Sequence, residues 1–175
     1  MKRYILSGTP GSGKTTLIHA LKNRGYNTVG EAATDVIAQL QARGVPEPWQ
    51  HESFIDTIVQ VQRTRQMTQP VGDVTFYDRS PFCTYALAVY LGFTPSAILL
   101  QEISRIERDA IYDKRVFFME NLGFITPTEA RKISYEASLV FETMHLDVYK
   151  QFGYECVMVP PVAIETRTCN IMELL

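Results

Sequence analysis

The segment from Gly8 to Thr15 reads Gly-Thr-Pro-Gly-Ser-Gly-Lys-Thr, and it lies between a short apolar run at Arg3–Ser7 and a helical pattern at Gly13–Arg24. It fits the pattern G-x-x-x-x-G-K-S/T, which works where a strand leads into a helix. In such a loop the glycines let backbone N–H groups point at phosphate oxygens, and the helix adds its positive dipole end. The segment therefore predicts a strand–loop–helix unit that binds the phosphates of a nucleotide.

Within this loop, Lys14 is expected to reach the β- and γ-phosphates as a catalytic group, and the Thr15 hydroxyl is expected to ligate Mg²⁺. The alternative is a glycine-rich turn that binds nothing, which would need neither the lysine nor the threonine. The predicted nucleotide-binding residues of the loop are Gly8, Thr9, Pro10, Gly11, Ser12, Gly13, Lys14, Thr15 and Thr16.

Short β-rich runs alternate with helical periodicity along the chain. The predicted strands are Arg3–Ser7, Tyr26–Gly30, Val74–Asp78, Arg115–Glu120 and Glu155–Val159. The predicted helices are Gly13–Arg24, Ala32–Arg43, Glu52–Thr68, Pro81–Leu91, Pro95–Ile111, Pro127–Phe152 and Val162–Leu174. This alternation predicts an α/β fold with a five-stranded parallel sheet and helices on both faces. The length of 175 residues suits one domain, residues 1–175.

Composition and charge narrow the possible partners. The net charge is −2, and Lys and Arg are scattered, which argues against a polymeric nucleic acid. The cysteines Cys83, Cys156 and Cys169 lack disulfide or metal spacing and are expected to be reduced core residues. The apolar run Tyr4–Leu6 is too short for a signal peptide, and no stretch is long enough for a bilayer. We therefore expect a cytoplasmic protein without a membrane partner.

The third predicted strand ends in Asp78, at the edge where open α/β sheets bind ligands. We expect Asp78 to hold Mg²⁺ together with Thr15; the alternative is that it helps to cap the helix at Pro81, a role that Ser80 already suits. Arg79 follows directly, and its planar guanidinium suits phosphoryl oxygens, with a surface ion pair as the alternative.

The nucleotide is expected to be ATP. The base-reading pattern Asn/Thr-Lys-x-Asp of GTPases does not occur in the sequence, and Asp78 is followed by Arg-Ser-Pro rather than by a switch glycine. A hexameric motor is not expected, because the chain ends about one helix after its fifth predicted strand and leaves no room for a helical lid domain.

Asp78-Arg79-Ser80 resembles the Asp/Glu-Arg-Ser/Tyr element of deoxynucleoside and thymidylate kinases, and Gly30-Glu31-Ala32-Ala33 resembles their acidic element. The whole chain resembles small AAA-family ATPases related to nicotinamide riboside kinases, including the turn at Asp78–Pro81 and the terminal pattern Gly153–Arg167. The resemblance implies a Mg²⁺-dependent ATP phosphotransferase that acts on a small, nucleoside-like hydroxyl acceptor. The rival from another class is a regulatory nucleotide-binding module with slow ATP hydrolysis.

By this resemblance, Glu31 is the general base for the acceptor hydroxyl or holds Mg²⁺ through water. The alternative is that Glu31 offsets a helix dipole. Asp35, one turn further on, is a second carboxylate. A lid around residues 121–135 would bring Arg131 over the transferring phosphoryl group, unless Arg131 simply faces solvent. Pro160 and Pro161 lie where related kinases hold adenine, and Arg167 is expected to stack nearby, which adds Arg167 to the nucleotide-binding residues.

On the acceptor side, the resembling kinases use a helix equivalent to Glu52–Thr68 to contact the acceptor base. Periodicity assigns Phe54 mainly to the core, while Gln62 is a candidate contact. Trp49 could cover the site or anchor a loop. His19, His51 and His145 show no metal-ligand spacing and are expected to be ordinary helix or loop residues. The sequence names neither the acceptor nor the oligomeric state.

Overall fold

A parallel five-stranded sheet forms the centre of the protein. The computed structural model describes residues 1–68, 72–123 and 134–175. The strands are β1 (Lys2–Gly8), β2 (Asn27–Val29), β3 (Val74–Asp78), β4 (Arg115–Met119) and β5 (Glu155–Val159). Their order is β2-β3-β1-β4-β5, and every neighbouring pair is parallel. The predicted fold class is confirmed.

Each predicted helix has a counterpart in the structure. The helices are α1 (Lys14–Asn23), α2 (Ala32–Ala42), α3 (Ser53–Thr68), α4 (Pro81–Tyr90), α5 (Ala97–Arg108), α6 (Tyr135–Gln151) and α7 (Ile164–Met172). A short 3₁₀ helix at Pro48–Gln50 precedes α3.

Three predicted helix starts are wrong, and the simplest case is α7, which begins at Ile164 rather than at Val162. The continuous helix predicted from Pro127 cannot pass Ser134, whose backbone is extended (φ −72°, ψ 165°) and whose hydroxyl accepts from the N–H of Ala137, so that α6 begins at Tyr135. Residues 124–133, including the proline itself, lie outside the described part of the chain. Helix α5 begins at Ala97 rather than at Pro95, because the hydroxyl of Ser96 caps the N–H of Leu99.

The sheet separates two apolar cores, as the alternation of side chains along a strand requires. In β1, Tyr4 and Leu6 belong to the core that includes residues of α1 and α7. Ile5 belongs to the larger core, which includes residues of α2 to α6. Helices therefore cover both faces, and the carboxyl ends of the strands remain as the edge for a ligand.

At that edge β1 approaches β4 so closely that only glycine fits. Gly8 pairs with Met119 and has φ 134°. A Cβ atom on Gly8 would lie 2.5 Å from the carbonyl oxygen of Met119. The first glycine of the motif is thus required by the sheet itself, and the loop leaves β1 between β3 and β4.

The cysteines differ in their exposure. Cys83 is buried, Cys156 is partly buried and Cys169 is exposed, and all are free thiols. The prediction of three core cysteines is therefore wrong for Cys169, which lies on an outward face of α7. Within the described residues, no helix combines the length and apolar character needed to cross a membrane.

Candidate active site

The phosphate loop curls through left-handed backbone conformations that favour glycine. Gly11 and Gly13 have φ 82° and 84°, and the N–H of Ser12 donates to the carbonyl of Thr9 at 3.3 Å. Gly13 is also the N-cap residue of α1. The loop therefore ends at the positive end of a helix, as the motif predicts.

The ammonium group of Lys14 lies inside this curl. Its Nζ donates to the carbonyl of Gly8 at 2.9 Å, to the carbonyl of Thr9 at 2.6 Å and to the hydroxyl of Ser12 at 3.2 Å. The lysine is buried despite its charge. These contacts fix a positive charge at the loop, where the phosphates are expected.

The next residues of the motif differ in exposure. Thr15 and Thr16 are exposed in the first turn of α1, where their hydroxyls can reach a ligand at the loop. Pro10, at the other end of the loop, lines the large cavity described below. The phosphate loop therefore borders the expected phosphate site through Thr15 and Thr16 and the cavity through Pro10.

Arg167, on α7, binds the main chain of the phosphate loop. It is 2% exposed, and it donates from Nη1 to the carbonyl of Ser12 and from Nε to the carbonyl of Pro160, each at 2.8 Å. Its Nη2 is buried without a hydrogen-bond partner among the described residues. The structure thus places Arg167 between the loop and the segment after β5, and direct adenine stacking by this buried guanidinium remains only a prediction.

Asp78 ends β3 at the same edge and is buried. Burial raises the pKa of its carboxyl; the charge of Lys14 opposes this effect, and that of Glu31 adds to it. One oxygen, Oδ1, is buried and has no hydrogen-bond partner among the described residues. An unsatisfied carboxylate oxygen fits a hard cation such as Mg²⁺, with Thr15 as the second protein ligand.

No group of three or more His, Cys, Asp or Glu side chains that could hold a metal occurs within the described ranges. A cation here would therefore take most of its ligands from phosphate oxygens and water, as Mg²⁺ does at nucleotide sites. The predicted capping role of the Ser80 side chain is wrong. Ser80 is the N-cap residue of α4, but its hydroxyl lies 3.2 Å from the Tyr149 hydroxyl and caps no N–H.

Arg79 has a strained backbone that directs its side chain back toward α2. Its φ is 70°, which is uncommon for a residue other than glycine, and its N–H donates to the carbonyl of Leu6 at 3.0 Å. Strain of this kind concentrates at functional sites. Its Nε donates to Oε1 of Glu31 at 2.7 Å, and the two side chains are only 10% and 15% exposed. The alternative of a surface ion pair is wrong, because this pair is largely buried.

Glu31 is the N-cap residue of α2, but its carboxylate does not cap the helix. Instead, Oε1 accepts from Arg79 and Oε2 accepts from the hydroxyl of Thr34 at 2.8 Å. Asp35, the second predicted carboxylate, forms an ion pair with Arg65. The carboxylate of Glu31 is thus held by side chains at a defined place, rather than by the helix N–H groups.

A cavity of about 430 Å³ opens beside this ion pair. Glu31, Arg79 and Pro10 of the phosphate loop share its wall with Thr34, Gln62 and Thr84. The remaining wall is mostly apolar and comes from Ala33, Ile37, Trp49, Phe54, Ile58, Cys83, Leu87, Tyr90, Leu91, Ala137 and Phe141, with Glu47 and Ser134 as polar exceptions. The predicted candidates Gln62 and Trp49 both face it. Phe54 is buried as predicted and also reaches the cavity.

Several residues of the site were not predicted. His145 was expected to be an ordinary helix residue, but it is fully buried, its Nδ1 lies 2.8 Å from the carbonyl of Phe141, and its Nε2 lies 3.4 Å from Nη1 of Arg79. Cys83 contacts the Tyr149 hydroxyl at 3.0 Å and the Ser7 hydroxyl at 3.4 Å. The four-residue spacing of Phe141, His145 and Tyr149 could have shown that they share one face of α6.

Arg131, the predicted lid arginine, lies outside the described residues. Asn121, at the start of the predicted lid, contacts the site, because its Nδ2 lies 3.4 Å from Oγ1 of Thr9 and 3.3 Å from Oγ of Ser138. The predicted lid therefore starts beside the phosphate loop and is followed by α6, and its role in closure stays a prediction.

The glycine loop after β1, the Asp-Arg turn after β3 and the parallel sheet define a P-loop protein. The AAA domain family model matches residues 3–167, and the chain belongs to this family. No curated protein matches the sequence.

Among solved structures, the chain is similar to deoxyadenosine kinase from M. mycoides. For the structure with bound dATP the TM-score is 0.63, the identity is 13%, and the match covers 99% of this chain and 98% of that chain. For the structure with bound dCTP the TM-score is 0.64, the identity is 14%, and the coverage is again 99% and 98%. At this identity the similarity establishes the fold, and the expected relation to nicotinamide riboside kinases is not shown by these matches.

Proposed function

We propose that the protein is a Mg²⁺-dependent ATP phosphotransferase that transfers a phosphoryl group to the hydroxyl of a small, nucleoside-like acceptor. The observation that carries the proposal is the Glu31–Arg79 ion pair, which lies on the wall of a cavity that Pro10 of the phosphate loop also lines. An acceptor in this cavity would lie beside the phosphate loop. We also propose that ATP is the phosphoryl donor, that residues 1–175 act as one domain and that the protein is cytoplasmic.

On the donor side, the N–H groups of the loop and the ammonium of Lys14 would bind the phosphates of ATP. Asp78 and the Thr15 hydroxyl would hold Mg²⁺, which supplies positive charge to the phosphate oxygens when it is bound. Thr16 follows in the same helical turn. Arg167 supports the loop through the carbonyl of Ser12.

On the acceptor side, Glu31 would accept the proton of the attacking hydroxyl. The hydroxyl oxygen then forms a bond to the γ-phosphorus while the bond from that phosphorus to the bridging oxygen breaks, and ADP leaves. Arg79 holds the carboxylate through Nε, and its Nη1 lies 3.4 Å from Nε2 of His145, so that Nη2 would be the donor to the transferring oxygens. Arg131 of the predicted lid would add a second positive charge over the same group.

The wall of the cavity supports a flat, partly apolar acceptor. Aromatic side chains such as Tyr90 and Phe141 offer faces for a ring, and Gln62 offers an amide. Oε1 of Gln62 accepts from the hydroxyl of Thr84 at 2.9 Å, and this hydrogen bond restricts the orientation of the amide. Few polar groups within a mostly apolar wall are typical of small-molecule sites.

An acceptor panel tests the proposal. The protein is incubated with MgATP and, one at a time, with deoxyribonucleosides, ribonucleosides and nicotinamide riboside, and ADP release is measured. We expect one acceptor class to raise ADP release many-fold, with Lys14→Ala as the inactive control. Equal, slow ADP release with every compound would contradict transfer and favour the regulatory module instead.

A further inference from the structure

Glu31 lies at a junction that the sheet supports only weakly. Within the described residues, strand β2 is a three-residue edge strand that pairs with β3 alone, and it ends at Val29. Gly30 then connects it to α2, with open space where a Cβ atom would lie. A contact from another element would fix the main chain that presents the Glu31 carboxylate.

The side chain of Arg65, in the last turn of α3, supplies that contact. Its Nη1 donates to the carbonyl of Gly30 at 2.9 Å and to the carbonyl of Glu31 at 2.8 Å, and its Nη2 pairs with the carboxylate of Asp35. One planar guanidinium thus joins α3 to both sides of the N-cap of α2. A lysine ammonium lacks this fork and could not match the three contacts in the same geometry.

Two arginines therefore hold Glu31 from different directions. Arg79 binds the carboxylate, and Arg65 binds the main chain that carries it. We propose that Arg65 is a positioning residue: it fixes the main chain at Gly30 and Glu31 so that the carboxylate meets the acceptor hydroxyl. This inference rests on the proposed phosphotransfer. Arg65 itself does not touch the reacting atoms, and its side chain is 26% exposed.

The test compares Arg65→Ala and Arg65→Lys with Arg63→Ala. Arg63 is a matched control, because it lies on the same helix, is 52% exposed and pairs with Glu102 at 3.6 Å rather than with the chain around Glu31. With the best acceptor, Arg65→Ala should lower kcat by up to about 10²-fold, since small displacements of a reacting group carry that cost. The KM for ATP should stay unchanged, and Arg65→Lys should recover only part of the rate.

Two further readouts separate positioning from a general loss of stability. Amide hydrogen exchange at residues 30–35 should become faster in Arg65→Ala but not in Arg63→Ala. In a Glu31→Gln background, Arg65→Ala should lower kcat little further, because the group that it positions is already inactive. Unchanged exchange at residues 30–35, or an equal fold-loss in both backgrounds, would overturn the inference.

The kinetic outcomes also separate this inference from the proposed function. If the parent shows no acceptor-dependent turnover, the proposed function fails and the catalytic consequence of Arg65 fails with it. If the parent transfers phosphoryl groups and Arg65→Ala does so equally fast, only the role of Arg65 is overturned.

Discussion

The guanidinium of Arg167 donates to the carbonyl of Ser12 at 2.8 Å and so determines how one peptide plane of the phosphate loop is oriented. Because a peptide unit is planar and trans, the N–H of Gly13 lies in the same plane as that carbonyl and points in the opposite direction. The same guanidinium also holds the carbonyl of Pro160. A buried side chain on α7 therefore links the phosphate loop to the segment after β5.

We expect Arg167→Lys to weaken ATP binding. A lysine cannot reach both carbonyls with fixed geometry, and hydrogen bonds from a charged group contribute about 1.5–3 kcal/mol each, so a tenfold or larger loss of affinity is expected. Isothermal calorimetry with ATP measures this effect. Arg24→Lys, at the exposed end of α1, is the control. ATP affinity equal to that of the parent, in a folded variant, would contradict the role of Arg167.

Asp78→Asn should have opposite effects on stability and on metal dependence. Burial raises the pKa of this carboxyl, so the folded state favours its protonated form, and its contribution to stability is lost as pH rises through the folded pKa. A neutral amide at neutral pH should therefore raise the melting temperature in EDTA. It should also abolish the extra ATP-dependent stabilisation that Mg²⁺ provides.

Thermal unfolding with and without ATP, each in Mg²⁺ or in EDTA, measures both effects. The parent treated in the same four buffers is the reference. If the variant keeps the full Mg²⁺ increment, Asp78 has a structural role and the buried Oδ1 needs another explanation.

The sequence predicted the elements of the site better than their contacts. The P-loop and Asp78 follow from local patterns, since each depends on a strand and on the turn directly after it. The pairing of Glu31 with Arg79, and of Arg65 with Gly30, joins residues 48 and 35 positions apart in the chain. No periodicity within one element contains that information.

The start of α6 shows a different limit. The sequence predicted one helix from Pro127 to Phe152, whereas Ser134 is the N-cap of α6, and the helical periodicity alone did not indicate this break. The burial of His145 was not predicted, because only the metal-ligand spacing of the three histidines entered the prediction. Its partner Arg79 reaches it through a left-handed turn that the sequence does not predict.

Cys83 is expected to react with iodoacetamide at unusually low pH. Burial raises the pKa of this thiol, but its interactions with His145 and the charge of Arg79 outweigh burial and lower the pKa to about 5. The thiolate is the form that displaces iodide, so the rate should level off about one or two pH units above that value instead of rising further. The reagent would enter through the cavity that Cys83 lines.

Mass spectrometry of the modified peptides distinguishes the cysteines. Cys156 is an internal control, because burial raises the pKa of its thiol to about 12 and its alkylation should be slow throughout. The acceptor identified in the panel should protect Cys83. A rate at Cys83 that keeps rising through the ordinary range of thiol pKa values would contradict a stabilised thiolate there.

Glu31→Gln separates catalysis from structure at the acceptor side. The amide keeps the size of the side chain and can still accept a hydrogen bond from Arg79, but it cannot take a proton from the acceptor. If Glu31 is the general base, turnover should fall by about 10²–10⁴-fold. ATP affinity should barely change, because the phosphate loop is intact.

The structure changes the loss of stability that the helix-dipole alternative predicts for Glu31→Gln. A charge that only offsets a helix dipole contributes about 0.3–1 kcal/mol, but Glu31 is also the partner of the largely buried Arg79, and weakening that charge-assisted hydrogen bond should raise the loss to about 1–3 kcal/mol. Stability alone therefore cannot decide between the two roles. Thr34→Val is the matched control, since it removes the hydrogen bond from the Thr34 hydroxyl to Oε2 of Glu31 and keeps the charge of the carboxylate. If Glu31→Gln loses stability while its turnover stays within about threefold of the parent, far from the effect of losing a base, Glu31 is a structural partner of Arg79 and not the base.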